Sequence, residues 1–357
     1  MNWTVLSADD AVAWGEAVAG IGGGDPYFDL DYHAAYDYDG GRSYLYVHRD
    51  GGGRTLVYPF RLHPIRAVGD ETLDGTLADI ETVYGYSGPL ADNDDPDFLR
   101  QAWDGFSQWA AEHRVVSEFC RFHPLMGAER FAAPDMRVIH DRETVTVNLE
   151  CGEAALWASY ESVLRNRVRK AQAAGLICRK GRGERDMEVF RVLYEETMRM
   201  LDARSFYLFP ESYYADLARM GDRLRLFLVE SGGAAIAGAI FLVGGGSIHY
   251  HLGGSRPDSR ALAPNNLLFH TVARWGQDHG LRRLFLGGGR TNRADDELLR
   301  FKRRFSPAAT PFFMGKRVWN PAAYETLSAA WCRQSGQTPP PHLQHYRLPV
   351  RQDGDGR

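Results

Sequence analysis

Apolar and polar positions along the first 145 residues change period several times. "WTVL" reads as a short strand and a helix follows near 10–19. "RSYLYVHRD" and "RTLVYPFRL" alternate with period two around "DGGG", which predicts a β-hairpin. A Gly-, Asp- and Tyr-rich loop, "ETVYGYSGPLADNDD", comes next. "DPDFLRQAWDGFSQWAAEH" then has helical spacing, with Pro96 in the first turn, and leads into the strand "VVSEFCRF". From about 150 the pattern predicts a helix over 153–174, the strand "LICRK", and helices near 185–201 and 211–219. Three strands follow, "RLRLFLVE", "AAIAGAIFLV" and "SIHYHLGG", turning at "SGG" and "GGG". A helix from Pro264 to about His279, the strand "RRLFLGG", a short helix over 295–304 and the strand "PFFMGKRVW" complete the series.

That β-α-α-β-β-β-α-β-α-β order is the pattern of the acetyltransferase-like (GNAT) fold, and the N-terminal half repeats it loosely. The expectation is an α/β (α+β) protein of two tandem GNAT-like domains with mixed sheets and a cleft between them. The domains divide as 1–148 and 149–319, with a helix over 320–334 packing back onto the first. Residues 335–357 are polar and Pro-rich and read as a loose tail.

At 357 residues the chain is comfortable for two domains. Its net charge of −4 excludes a global basic field, so a polyanion would have to be met by a local patch. Cys120, Cys151, Cys178 and Cys332 are scattered without metal or disulfide spacing. The opening residues lack the n- and h-regions of a signal peptide, and no run approaches 18 apolar residues. These features predict a cytoplasmic protein.

Of 42 Lys+Arg only Lys170, Lys180, Lys302 and Lys316 are lysines. A lysine kept against so strong an arginine bias invites a role for its compact ammonium. In "ALWASYESVLRNRVRKAQAAG", Arg165 and Arg169 fall on a solvated edge. Arg167 falls within the apolar face, where it must pair, snorkel or meet a ligand anion. On "SIHYHLGGS", His249 and His251 share one face and Tyr250 takes the other, toward a cleft. Two histidines at this spacing could ligate a metal, but no third ligand is suggested, and no metal is expected. An acetyl-CoA enzyme would carry a Gly-rich loop before the Pro264 helix, whose N–H groups hold pyrophosphate. Here the turn reads "SRALAPNN", and Pro264 supplies no N–H.

Five segments in order resemble the FemABX family of non-ribosomal peptidyl transferases: "YGYSGPLAD" (84–92), "EFCRFHP" (118–124), "RNRVRKAQAAGL" (165–176), "YHLGGS" (250–255) and "LLRFKRRFS" (298–306). The resemblance spans residues ~25–330. It implies transfer of an amino acid from aminoacyl-tRNA to the amine of a peptidoglycan precursor or peptide antibiotic intermediate, without a resident cofactor. It matches Phe301 and Lys302 to the Phe-Lys pair beside the family's reaction centre, where the lysine steadies negative charge. Arg167 and Tyr250 match positions near the acceptor channel. Arg204 and Tyr207 fall in a segment that holds acceptor phosphate, and Asn265 joins them as a substrate-binding candidate. Arg300, Arg303 and Arg304 would meet tRNA phosphates, unless they simply end a helix favourably. His123 stands where some members have Asp, and is the candidate proton acceptor. Asp92 and Asp295/Asp296 are weaker ones, since such carboxylates usually cap. The coiled-coil arm of some members is absent.

Two other readings compete. One is an acyl-CoA-dependent N-acyltransferase of the same fold, and the other is a GNAT-like binding module without turnover.

Overall fold

A computed structural model describes residues 2–21, 23–203, 207–293 and 295–350. The chain divides into two compact units. The first comprises 1–23, 36–140 and 313–357, and the second 24–35 and 141–312.

In the first unit the strands Trp3–Leu6, Arg42–Arg49, Thr55–Pro64, Ala78–Glu81 and Val115–Arg121 lie side by side in chain order. Ala78–Glu81 and Val115–Arg121 run parallel. Residues 314–318 close the row antiparallel to Val115–Arg121. The helix Pro96–Glu112 starts where the sequence pattern places it, capped by Asp95, which accepts from the Phe98 N–H at 2.9 Å. Its Trp103, Phe106 and Trp109 pack on the period-two face formed by Tyr44, Tyr46, Tyr58 and Phe60.

The C-terminal region differs from the loose tail expected of it. After the helix Pro321–Ser335, Tyr346 is fully buried, and its hydroxyl donates to Asp79 at 2.7 Å. Trp331 donates to the Leu348 carbonyl, and Gln344 to that of Ile80. Polar composition suggested disorder, but one Tyr and one Gln supply the donors that two buried acceptors of the first unit need.

In the second unit the sheet order is Arg137–Asn148 (through residues 144–148), Arg283–Gly288, Ser247–Ser255, Ala234–Gly244, Leu224–Ser231 and Ile177–Lys180. Ser247–Ser255 and Arg283–Gly288 are parallel, joined by the crossover helix Pro264–Asp278. The helices Ser162–Ala173 and Pro264–Asp278 cover one face through Leu164, Val168, Leu268 and Val272. Gly183–Met200 covers the other, where a Cβ on Gly254 would lie 2.5 Å from the Leu193 carbonyl oxygen. The unit boundaries differ from 148/149 for two reasons. The end of Arg137–Asn148 pairs with Arg283–Gly288, and Tyr27 and Tyr32 pack on His249 and His251.

Among the described residues no helix is long and apolar enough to cross a membrane.

Candidate functional site

The strand Arg283–Gly288 runs into "GGG". Gly287 sits at φ +70°, beside a register shift in the pairing with Arg137–Asn148. A Cβ on Gly289 would lie 2.3 Å from Asp296 Oδ1, so only glycine admits that carboxylate here. Asp296 is the N-cap of the helix Glu297–Arg303: Oδ1 accepts from Leu299 N–H at 2.9 Å. Its Oδ2 accepts from the N–H groups of Arg290 and Thr291 and from the Thr291 hydroxyl, at 3.1, 2.9 and 3.0 Å. Burial alone would raise this acid, but the bonds from Leu299, Thr291 and Arg290 outweigh it and hold the carboxyl below its usual range.

One turn along the helix, Leu299 and Lys302 point inward at i, i+3 while Arg300 and Arg303 point to solvent. Lys302 is 4% exposed; its Nζ donates to the Gly288 carbonyl at 2.6 Å and lies 5.2 Å from the centre of the Tyr250 ring. Burial pushes its ammonium down from 10.5 to about 7, with Asp296 opposing that shift and Arg142 adding to it. Arg142 belongs to the strand Arg137–Asn148. Its Nη1 donates to the Gly289 carbonyl at 2.8 Å, and its Nε to Asp141. Burial lifts the Tyr250 hydroxyl to about 12. A buried amine able to change protonation near neutrality, beside a glycine turn held by Arg142 and Asp296, is suited to charge or proton work on a substrate.

The structure brings together Lys302, Phe301 and Tyr250. Phe301 is half-buried against Phe269 and Phe305, with ring centres at 5.8 and 5.6 Å, and Phe269 in turn packs edge-on against Tyr250 at 4.9 Å. Asn265 is half-buried and donates to Ser255 Oγ at 3.3 Å. The Tyr207 carbonyl accepts from the Tyr194 hydroxyl at 2.9 Å. Arg204 lies outside the described residues. His123 belongs to the first unit, fully buried, with its backbone N–H donating to the Ser87 carbonyl at 2.7 Å. Arg300 and Arg303 are exposed and Arg304 half-buried. Asp92 accepts from Thr55 N–H at 2.9 Å, a structural bond.

Arg167 is a correction. The expected continuous helix breaks at Tyr160–Glu161 into Glu153–Ser159 and Ser162–Ala173. The second helix restarts with Leu164, Val168 and Ala171 buried, which turns Arg167 and Val163 outward. The Arg167 guanidinium is exposed, so it needs no buried anion.

His249 and His251 do share a face. His249 Nε2 lies 3.3 Å from Asp25, and His251 Nε2 and the Tyr213 hydroxyl share a hydrogen bond at 2.6 Å. Burial, with His249 nearby, lowers His251 to about 3 and keeps it neutral. Sequence spacing could not find Asp25, Arg142 or the Gly288 carbonyl, which arrive from distant strands and loops. The Asp296 cap was readable from its place before an apolar helical run.

Residues 158–303 match the sequence profile of the acetyltransferase (GNAT) domain family. No curated protein sequence is significantly similar to the chain. The crystal structure of FemX superposes with a TM-score of 0.68 at 15% identity, over 91% of this chain and 99% of FemX. This is a protein of the GNAT fold, similar in structure to FemX. The C-terminal domain of a putative lysylphosphatidylglycerol synthetase from Agrobacterium fabrum has a TM-score of 0.55 at 16% identity, covering 89% of this chain and 94% of that one. A tandem GNAT protein from the clavulanic acid biosynthesis pathway has a TM-score of 0.50 at 13% identity, over 89% and 98%. The tandem GNAT architecture expected from the element order is therefore present.

Proposed function

We propose that this GNAT-fold protein is an aminoacyltransferase. It takes the amino acid of an aminoacyl-tRNA and forms an amide with the amine of a peptide-type acceptor, a peptidoglycan precursor or a peptide antibiotic intermediate. The observation that carries the reading is Lys302, buried on the Gly288 carbonyl beside Tyr250; the sequence resemblance matches it to the lysine of the FemABX Phe-Lys pair. The ester of a charged tRNA is already activated, so no covalent enzyme intermediate is required. Positioning of the amine and electrostatic help at the carbonyl carry the rate. Arg300, Arg303 and Arg304 would meet phosphate. Among the described residues none of these three forms an ion pair, whereas Arg179, Arg191 and Arg223 of the same unit are paired with acids. The start of the crossover helix favours this reading over an acyl-CoA enzyme. Ala263 at φ +59° is followed by Pro264, which has no N–H to offer a pyrophosphate.

The acyl-CoA reading keeps one specific support, the match of residues 158–303 to the acetyltransferase domain family. Thermal shifts separate the two. A ligand at 100 times its Kd adds about 2.7 kcal/mol to the folded state. Charged tRNA is expected to bind in an RNase-sensitive manner while CoA and acetyl-CoA leave the melting temperature unchanged. Protection by CoA with no retention of charged tRNA would overturn the proposal.

A further inference from the structure

We infer that Lys302 is the proton carrier of the transfer, and that Arg142 and Asp296 are opposed positioning residues that hold its amine ready both to take a proton and to give it up. The inference rests on the aminoacyl-transfer reading and deepens it.

The geometry is specific. Nζ is fixed by the Gly288 carbonyl, and the residues that follow that carbonyl are tied by two side chains of opposite charge. Arg142 Nη1 holds the Gly289 carbonyl, while Asp296 Oδ2 takes the N–H groups of Arg290 and Thr291. The same pair brings opposite charges to the lysine: Asp296 favours the ammonium and Arg142 the neutral amine. Also near Nζ is the Tyr250 ring, which favours a cation, and Asp141 binds Arg142 and tempers its charge. Arg300 and Arg303, on the lysine's own helix, point to solvent. A neutral amine in this setting can accept a proton, and the ammonium it becomes meets a carbonyl and a π face, with the charge of Asp296 favouring it from further off.

The step balances without a further reactant. The acceptor amine attacks the ester carbonyl carbon, a C–N bond forms, and the carbonyl electron pair moves to oxygen. The amine proton passes to the Lys302 lone pair. Collapse of the tetrahedral centre breaks the bond to the ribose oxygen, which takes the proton from Lys302 and leaves as a hydroxyl. The amine ends the cycle neutral, as it began.

The test is the pH dependence of kcat/KM for transfer from charged tRNA, in wild type and three variants. Wild type is expected to gain rate with rising pH through a limb near 7. The acceptor amine also titrates, but its own limb cannot respond to remote charges on the protein. Arg142→Gln is expected to move the limb up, and Asp296→Asn to move it down, each by about one pH unit. Arg142→Lys keeps the charge and is expected to keep the wild-type limb at a reduced rate. Limbs that stay together in all variants, or a wild-type rate that falls above pH 7, would overturn the inference and leave the transfer reading standing. No transfer by wild type at any pH would instead remove the transfer reading itself.

Should a variant fail to fold, wild-type NMR with ¹³C-lysine gives the same answer, because the chain has only four lysines to assign. One Cε signal is expected to titrate near pH 7 and to be missing from Lys302→Met. Four signals all titrating above pH 9 would overturn the inference.

Discussion

Replacing Lys302 by Met should make the protein more stable and less active at once. Met has nearly the same length and fills the same buried space without a charge. Moving the lysine from its ordinary 10.5 to about 7 corresponds to roughly 4.8 kcal/mol, at about 1.36 kcal/mol per pH unit. The sign follows from proton binding. Between pH 7 and 10.5 the unfolded chain holds the proton that the folded chain has lost, so stability rises with pH across that window. The burden is therefore full below pH 7 and fades as pH approaches 10.5. Against it stands the Gly288 carbonyl, left without its donor at a cost of about 1–3 kcal/mol. Lys302→Met should gain roughly 2–4 kcal/mol near pH 6, and the gain should vanish or reverse above pH 9. Thermal unfolding of both proteins from pH 6 to 10 reads this directly. A variant less stable than wild type at pH 6, or a difference independent of pH, would show that Lys302 serves the fold, and the functional reading of its burial would fail.

Other outcomes follow from the same geometry. Gly289→Ala must displace Asp296, since the new Cβ would lie 2.3 Å from Oδ1; we expect a loss of about 1–3 kcal/mol by calorimetry together with loss of transfer. Tyr346→Phe removes the hydroxyl that donates to buried Asp79 and should cost about 1.5–3 kcal/mol in denaturant melts, where a loose tail would give no change. Replacing Arg300, Arg303 and Arg304 together by Gln should weaken RNA binding and flatten its dependence on log salt by about 0.7–0.9 for each phosphate no longer neutralised. An unchanged slope would place the RNA elsewhere.

The regular elements were legible because their periods are clean, as in the hairpin strands Arg42–Arg49 and Thr55–Pro64. The strand Arg137–Asn148 is not legible in the pattern. Only Val145 and Val147 of its "TVTVN" end carry the alternation of a buried face, while the charged "HDRE" before them reads as loop. Composition averages over the tail, whereas a few specific residues, Tyr346 and Gln344 above all, decide its docking. At the site, the Phe-Lys pair stood out by lysine scarcity and by resemblance. Its surroundings did not, because a carbonyl acceptor has no side-chain signature and Arg142 arrives from another strand. Arg167 failed for a local reason: one break at Tyr160–Glu161 resets the phase of a helical wheel drawn across it.

The most direct test of the central claim is single-turnover transfer of labelled amino acids from a pool of charged tRNA to candidate amine acceptors, with wild type and Lys302→Met side by side. Label is expected in an RNase-resistant amide product for wild type, for one or a few amino acids, at a rate at least about 10²-fold above that of the folded variant. Equal rates for the two proteins, or label moving only from acetyl-CoA, would contradict that claim.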